Sequence, residues 1–133
     1  MIEYVEAQAG AYQPGVCNIG PAEVRRRRQI GYLGIAGAIG LGAMLLAADA
    51  PAALRLAVAA PATIGLSGLV QSHLRFCAGY GMAGLRNLGP LGQQEAVDDA
   101  AARAADRHRA VRVHAATLVG GLLIGIAFAA LPI

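Results

Sequence analysis

Three stretches of the chain carry no charged residue: Ile30 to Ala48, Leu56 to Leu74 and Ala115 to Ile133. Each is long enough, as a helix rising ~1.5 Å per residue, to cross a hydrocarbon layer of ~30 Å. The pattern predicts an all-α polytopic membrane protein with three transmembrane helices. A single helical domain is expected over residues 1–133. Its parts are an irregular segment at 1–20, a helix with the first span at 21–48, a second span with an extension at 51–88, and a helix at 93–131 that runs on into the third span.

Small residues mark the faces on which these helices meet. Gly34, Ala38 and Gly42 recur every four positions in the first span, and Gly121, Gly125 and Ala129 do so in the third. Such stripes let helix backbones approach closely. The turn from Ala48 to Pro51 is so short that the first two spans form an antiparallel hairpin. Pro61 has no N–H for the carbonyl of Ala57 and predicts a kink, with Thr63 and Ser67 on one face beside it.

Outside the spans the pattern is amphipathic. Gln71 to Tyr80 extends the second helix, which Gly79, Gly81 and Gly84 weaken and Gly89-Pro90 ends. From Gln93 onward, acids (Glu95, Asp98, Asp99) precede arginines (Arg103, Arg107, Arg109, Arg112), as the helix macrodipole favours. Asp99 and Arg103 are placed as an i,i+4 pair. Val97, Ala101, Ala104, His108, Val111, Ala115, Leu118 and Leu122 keep an alternating four-three spacing. Of these, Val97, Ala101, Ala104 and Val111 are the expected partner-docking positions, lying outside the hydrocarbon.

Charge then gives orientation. All eleven basic residues are arginine. Arg25 to Arg28 flank the first span, and Arg75, Arg86, Arg103, Arg107, Arg109 and Arg112 lie between the second and third, whereas Arg55 stands alone at the other end. The positive-inside rule puts the N-terminus in the cytoplasm and the C-terminus outside, in a bacterial cytoplasmic membrane. Arg25, Arg26, Arg27 and Arg28 are read as anchors for anionic lipid headgroups. No aromatic residues interleave with them, which argues against nucleic acid as a partner. Residues 25–50 also resemble a twin-arginine export signal ending in Ala48-Asp49-Ala50. Pro51 after the cut and the length of the apolar run favour an uncleaved helix.

Candidate chemistry is sparse. The phrase Cys17-Asn18-Ile19-Gly20-Pro21-Ala22-Glu23 reads as a capped helix start, with Asn18 or Gly20 as cap, Pro21 in the first turn and Glu23 at the positive end of the dipole. Cys17, His73 and Cys77 are potential ligands for a metal, although no CxxC or HxxxH pair accompanies them. Ser67 and Ser72, the only serines, stand outside any GxSxG elbow, and no phosphate-cradling loop is present. No enzyme activity and no cofactor are expected, a metal at this trio being the exception. The expected role is a non-catalytic accessory subunit or self-assembling scaffold of a larger inner-membrane complex, with membrane lipids and other subunits or further copies as partners. Two alternatives stand beside it: an oligomeric channel or transporter with a path beside Pro61, and a metal or thiol site at the cytoplasmic rim.

Overall fold

The computed structural model describes residues 11–133. Within them the chain is mostly helical, and three helical segments are long and apolar enough to cross a membrane: Pro21–Ala47, Ala52–Leu74 and Ala100–Ala129. The first is α1 (Pro21–Ala47). The second is built from α2 (Ala52–Arg55), a 3-10 turn (Leu56–Val58) and α3 (Ala59–Leu74). A short α4 (Ala78–Ala83) and a two-stranded ribbon of β1 (Leu85–Arg86) and β2 (Glu95–Ala96) lead to α5 (Ala100–Ala129).

Helix α1 starts where its residues dictate. Gly20 is the N-cap, Pro21 needs no donor at the first position, and the Val24 N–H reaches the Gly20 carbonyl at 3.0 Å. At the far end Asp49 adopts a left-handed conformation (φ 51°) to turn the chain back. The 3-10 turn at Leu56–Val58 contains Ala57, whose carbonyl Pro61 cannot serve. A tightened turn is one way to accommodate such a missing hydrogen bond.

Helix α3 lies between α1 and α5, and glycine permits both crossings. A Cβ on Gly68 would stand 2.5 Å from the Gly31 nitrogen and 2.6 Å from the Arg27 carbonyl oxygen. One turn further, Gly34 faces the backbone of Gly65 with equally little room. Across the other face, Gly121 meets Thr63, and a Cβ on Gly125 would come within 2.7 Å of the Ala59 methyl. Gly42 is looser, with the Phe128 ring at 3.5 Å from its notional Cβ, and Ala38 and Ala129 are half-buried. Gly65 and Gly68, on the second helix, complete the stripe that Gly34 begins.

Three expectations change at the arginine-rich end. The second helix stops at Arg75 instead of running on through Tyr80. Arg75 is left-handed (φ 54°), and the Phe76 N–H bonds to the Gln71 carbonyl at 3.1 Å. This is a Schellman closure, in which the residue after the left-handed position packs inward; Phe76 is fully buried. The third helix begins at Ala100, not Gln93. Asp99 caps it by accepting from the Ala102 N–H at 2.9 Å, while Glu95 pairs with Arg86 across the ribbon. Asp99 therefore makes no pair with Arg103, whose guanidinium donates to the Val97 and Asp98 carbonyls.

The buried seam of α5 also differs from the expected one. It runs through Ala102, Asp106, Ala110, Val113, Thr117, Gly121 and Gly125. Ala101, Ala104 and Val111 are exposed, and Val97 is turned inward from the loop, its N–H on the Gly84 carbonyl. Residues 1–10 of the expected irregular segment lie outside the described residues; 11–20 carry no helix, and Ala11, Gln13, Pro14 and Val16 are exposed. Cys17, Asn18, Ile19 and Gly20 are all buried.

Candidate functional site

The chemistry-bearing side chains gather at the arginine-rich end, around the segment from Tyr12 to Gly20. Asn18 is completely buried and grips one peptide unit on each side. Its side-chain oxygen accepts the Cys77 N–H at 2.6 Å and its amide donates to the Cys77 carbonyl at 3.0 Å. Its backbone bonds to the Arg75 carbonyl and to the Asn87 N–H. Gly20 continues the contact, donating to the Asn87 carbonyl, with the Leu88 carbonyl where a side chain would be.

Behind this clip, Glu23 is buried at 0% exposure. One carboxylate oxygen accepts from the Tyr80 hydroxyl at 3.1 Å and the Asn87 amide at 3.3 Å; the other lies 3.3 Å from Arg27. Arg27 also donates to the Cys77 sulfur at 2.9 Å and lies over the Tyr80 ring. Burial and the neighbouring carboxylate push the Tyr80 hydroxyl above its ordinary pKa.

A second cluster fastens the segment to α5. Asp106, fully buried, accepts from the Tyr12 hydroxyl at 2.5 Å and the Gly15 N–H at 2.7 Å. Arg109 donates to the Gly15 carbonyl at 2.7 Å and covers the Phe76 ring, while Arg86 lies over Tyr12. Burial first, and then Asp106, push the Tyr12 hydroxyl well above its usual value. Burial likewise raises the Cys17 thiol.

The proposed metal trio does not assemble. Cys77 caps α4 and its sulfur meets Arg27 and the Tyr80 N–H, Cys17 donates to the Ile19 carbonyl, and His73 points outward into solvent-accessible space. Among the described residues no group of three His, Cys, Asp or Glu side chains is placed to hold a metal. Of the four consecutive arginines, Arg25, Arg26 and Arg28 are exposed, and Arg27 is drawn into the Glu23 cluster. At the opposite end Arg55 is buried and donates to the Leu131 carbonyl at 3.1 Å, close to the negative end of α5.

One cleft borders these clusters. With α3 between them, α1 and α5 leave a cavity of about 520 Å³. Its floor is Thr63, Ile64, Ser67, Gly68 and Gln71; Arg27 and Ile30 form one wall, and His114, Thr117 and Leu118 the other. Thr63 and Ser67 thus do share a cavity wall, though the Thr63 hydroxyl is bound to the Ala59 carbonyl.

Compared with known proteins, the chain matches no family model, no curated protein and no solved structure.

Proposed function

We propose that the protein is a non-catalytic component of a membrane assembly, in which its arginine-rich end presents a rigid docking face to a partner helix or a second copy. One observation carries this reading. The acidic, amide and thiol groups of the two buried clusters each bind another segment of the same chain, whereas one face of α5 above the apolar run is left outward. Asn18, Glu23, Cys77 and Asp106 act as internal fasteners. Ala101, Ala104 and Val111, by contrast, are exposed and small or apolar, the kind of surface on which helices pack.

The excess of arginine at that end supports a cytoplasmic placement of the N-terminus and of the α4–β-ribbon layer, with the C-terminus outside, in a bacterial cytoplasmic membrane. Arg25, Arg26 and Arg28 would then lie at headgroup level. Migration on native gels after extraction in several mild detergents tests the docking reading. A complex larger than the lone chain is expected, and Ala104→Glu should dissociate it without changing the helical circular dichroism. Migration as a monomer throughout, or complexes indifferent to both Ala101→Glu and Ala104→Glu, would overturn it.

A further inference from the structure

We propose that the cleft between α1, α3 and α5 is a binding site for one membrane amphiphile with an anionic oxygen head and an apolar chain. The cleft is graded in polarity. Arg27, Gln71 and His114 line it within about one helical turn of where the uncharged stretches begin or end, and Ile30, Ile64 and Leu118 line it beside the hydroxyls of Thr63, Ser67 and Thr117. Ile64 and Leu118 are each 53% exposed, so the cleft opens sideways, between helices, where an acyl chain would lie. Its volume falls in the range of ordinary small-ligand pockets, ~300–1,000 Å³.

The head chemistry follows from which hydrogen-bonding groups remain unmatched. The Gln71 side-chain oxygen takes the Ala78 N–H at 2.8 Å, which fixes the amide so that its nitrogen donates to Ser67 at 2.6 Å. The Ser67 hydroxyl hydrogen and the second Gln71 amide hydrogen then have no acceptor among the described residues. The Arg27 Nε is buried and also without an acceptor among the described residues, and the exposed His114 ring lines the same cleft. Three unmatched donors and the His114 ring therefore border one cavity, while the Thr63 and Thr117 hydroxyls are donated to the backbone of their own helices. An unmatched buried donor costs ~1–3 kcal/mol, and the Arg27 Nε is one, so a ligand that brings acceptors relieves it and can take up the donors beside it. A carboxylate or a phosphodiester has that character, and charge-assisted bonds to either are the stronger kind. The site is separate from the docking face of α5 and stands whether or not a partner chain exists.

Native mass spectrometry of the full chain, released from nanodiscs of phosphatidylcholine doped with phosphatidylglycerol or oleate, tests this. The expected result is one retained anionic lipid per chain, favoured about tenfold over phosphatidylcholine. Retention of phosphatidylglycerol alone assigns a phosphodiester head, oleate alone a carboxylate, and both the shared oxyanion. Ser67→Ala and His114→Ala should each lower retention severalfold with unchanged thermal unfolding. Replacing Arg25, Arg26 and Arg28 together by Gln should leave the retained lipid in place. No preference over phosphatidylcholine, or loss on the triple substitution with none on Ser67→Ala and His114→Ala, would overturn the proposal.

Discussion

The first turns of α1 and its middle are held by opposite means. Around Gly31 and Gly34 the helix comes close enough to α3 for backbone to meet backbone at Gly65 and Gly68, with the Leu69 side chain against Gly31 and that of Ile35 against Gly65. Two turns earlier, around Glu23 and Arg27, it is held by side chains that reach 50 residues or more along the chain to Cys77, Tyr80 and Asn87. The contrast follows from solvent. In the membrane placement proposed above, apolar burial provides no drive for helices to associate, so close van der Waals approach through small residues must do so. Near water, a buried Phe76 and Ile19 gain hydrophobic free energy, and polar groups enclosed with them must find partners. Substitutions should therefore fail differently in the two regions: by added volume in the spans, by lost hydrogen bonds in the arginine-rich layer.

The largest effect is expected where volume is least tolerated. Gly68→Leu would drive a side chain into the Gly31 nitrogen and Arg27 carbonyl, which are backbone atoms and cannot step aside. Overpacking of this sort costs at least ~3 kcal/mol and should separate α1 from α3. Gly40→Leu is the internal control, because a Cβ there meets nothing within 4 Å. It should change stability by no more than ~0.5 kcal/mol. Equilibrium unfolding in mixed micelles, followed by circular dichroism, measures both. Equal effects would mean that the glycine stripe is not what holds the helices together.

Next in size is the loss of the Asn18 clip. Asn18→Ala removes an acceptor and a donor from the Cys77 peptide group, both in a buried setting. Each unmatched group costs ~1–3 kcal/mol. Asn18→Asp should rescue little, since a carboxylate oxygen would face the Cys77 carbonyl. Limited proteolysis within residues 11–20 should accelerate in both variants while the spans remain helical. If the whole molecule unfolds together instead, the two regions are one cooperative unit.

These regions were unequally legible in the sequence. Uncharged stretches and the Gly34, Gly121 and Gly125 positions announce the three long apolar helices, because length and small size are written in local sequence. Gly65 and Gly68 belong to the same logic, but they stand in a helix whose most conspicuous local signal is Pro61. The arginine-rich layer is harder to read because its determinants are non-local. Helix α3 ends at an arginine in a conformation that normally favours glycine, and burial of Phe76 over the layer stabilises that ending. Asp98, Asp99 and Glu95 share a helical-dipole pattern, yet only Asp99 is a cap, because Glu95 has a ladder partner in Arg86. The Cys17–Glu23 phrase is conspicuous locally, but its meaning lies 59 residues away at Cys77.

The smallest expected effect concerns pH and belongs only to the arginine-rich layer. Tyr12 and Tyr80 keep their protons in the folded state above the ordinary tyrosine pKa of ~10, for reasons of burial and of the Asp106 and Glu23 carboxylates. The unfolded chain loses those protons first, so it binds fewer protons than the folded chain once pH passes ~10. Stability is then fully present below that pH and falls as pH rises through it. One proton sets a limit of ~1.4 kcal/mol per pH unit, and partial exposure of both rings keeps the real slope lower. Unfolding midpoints between pH 8 and 11 should decline for the native chain. Because burial also raises the Cys17 thiol, which titrates from a lower ordinary value, the comparison is best made in a Cys17→Ala background. There, the double variant Tyr12→Phe, Tyr80→Phe should start lower but lose less with pH. Parallel curves would show that the alkaline loss arises elsewhere, in the long apolar helices or the exposed arginines, and that the buried hydroxyls hold the layer by packing rather than through their protons.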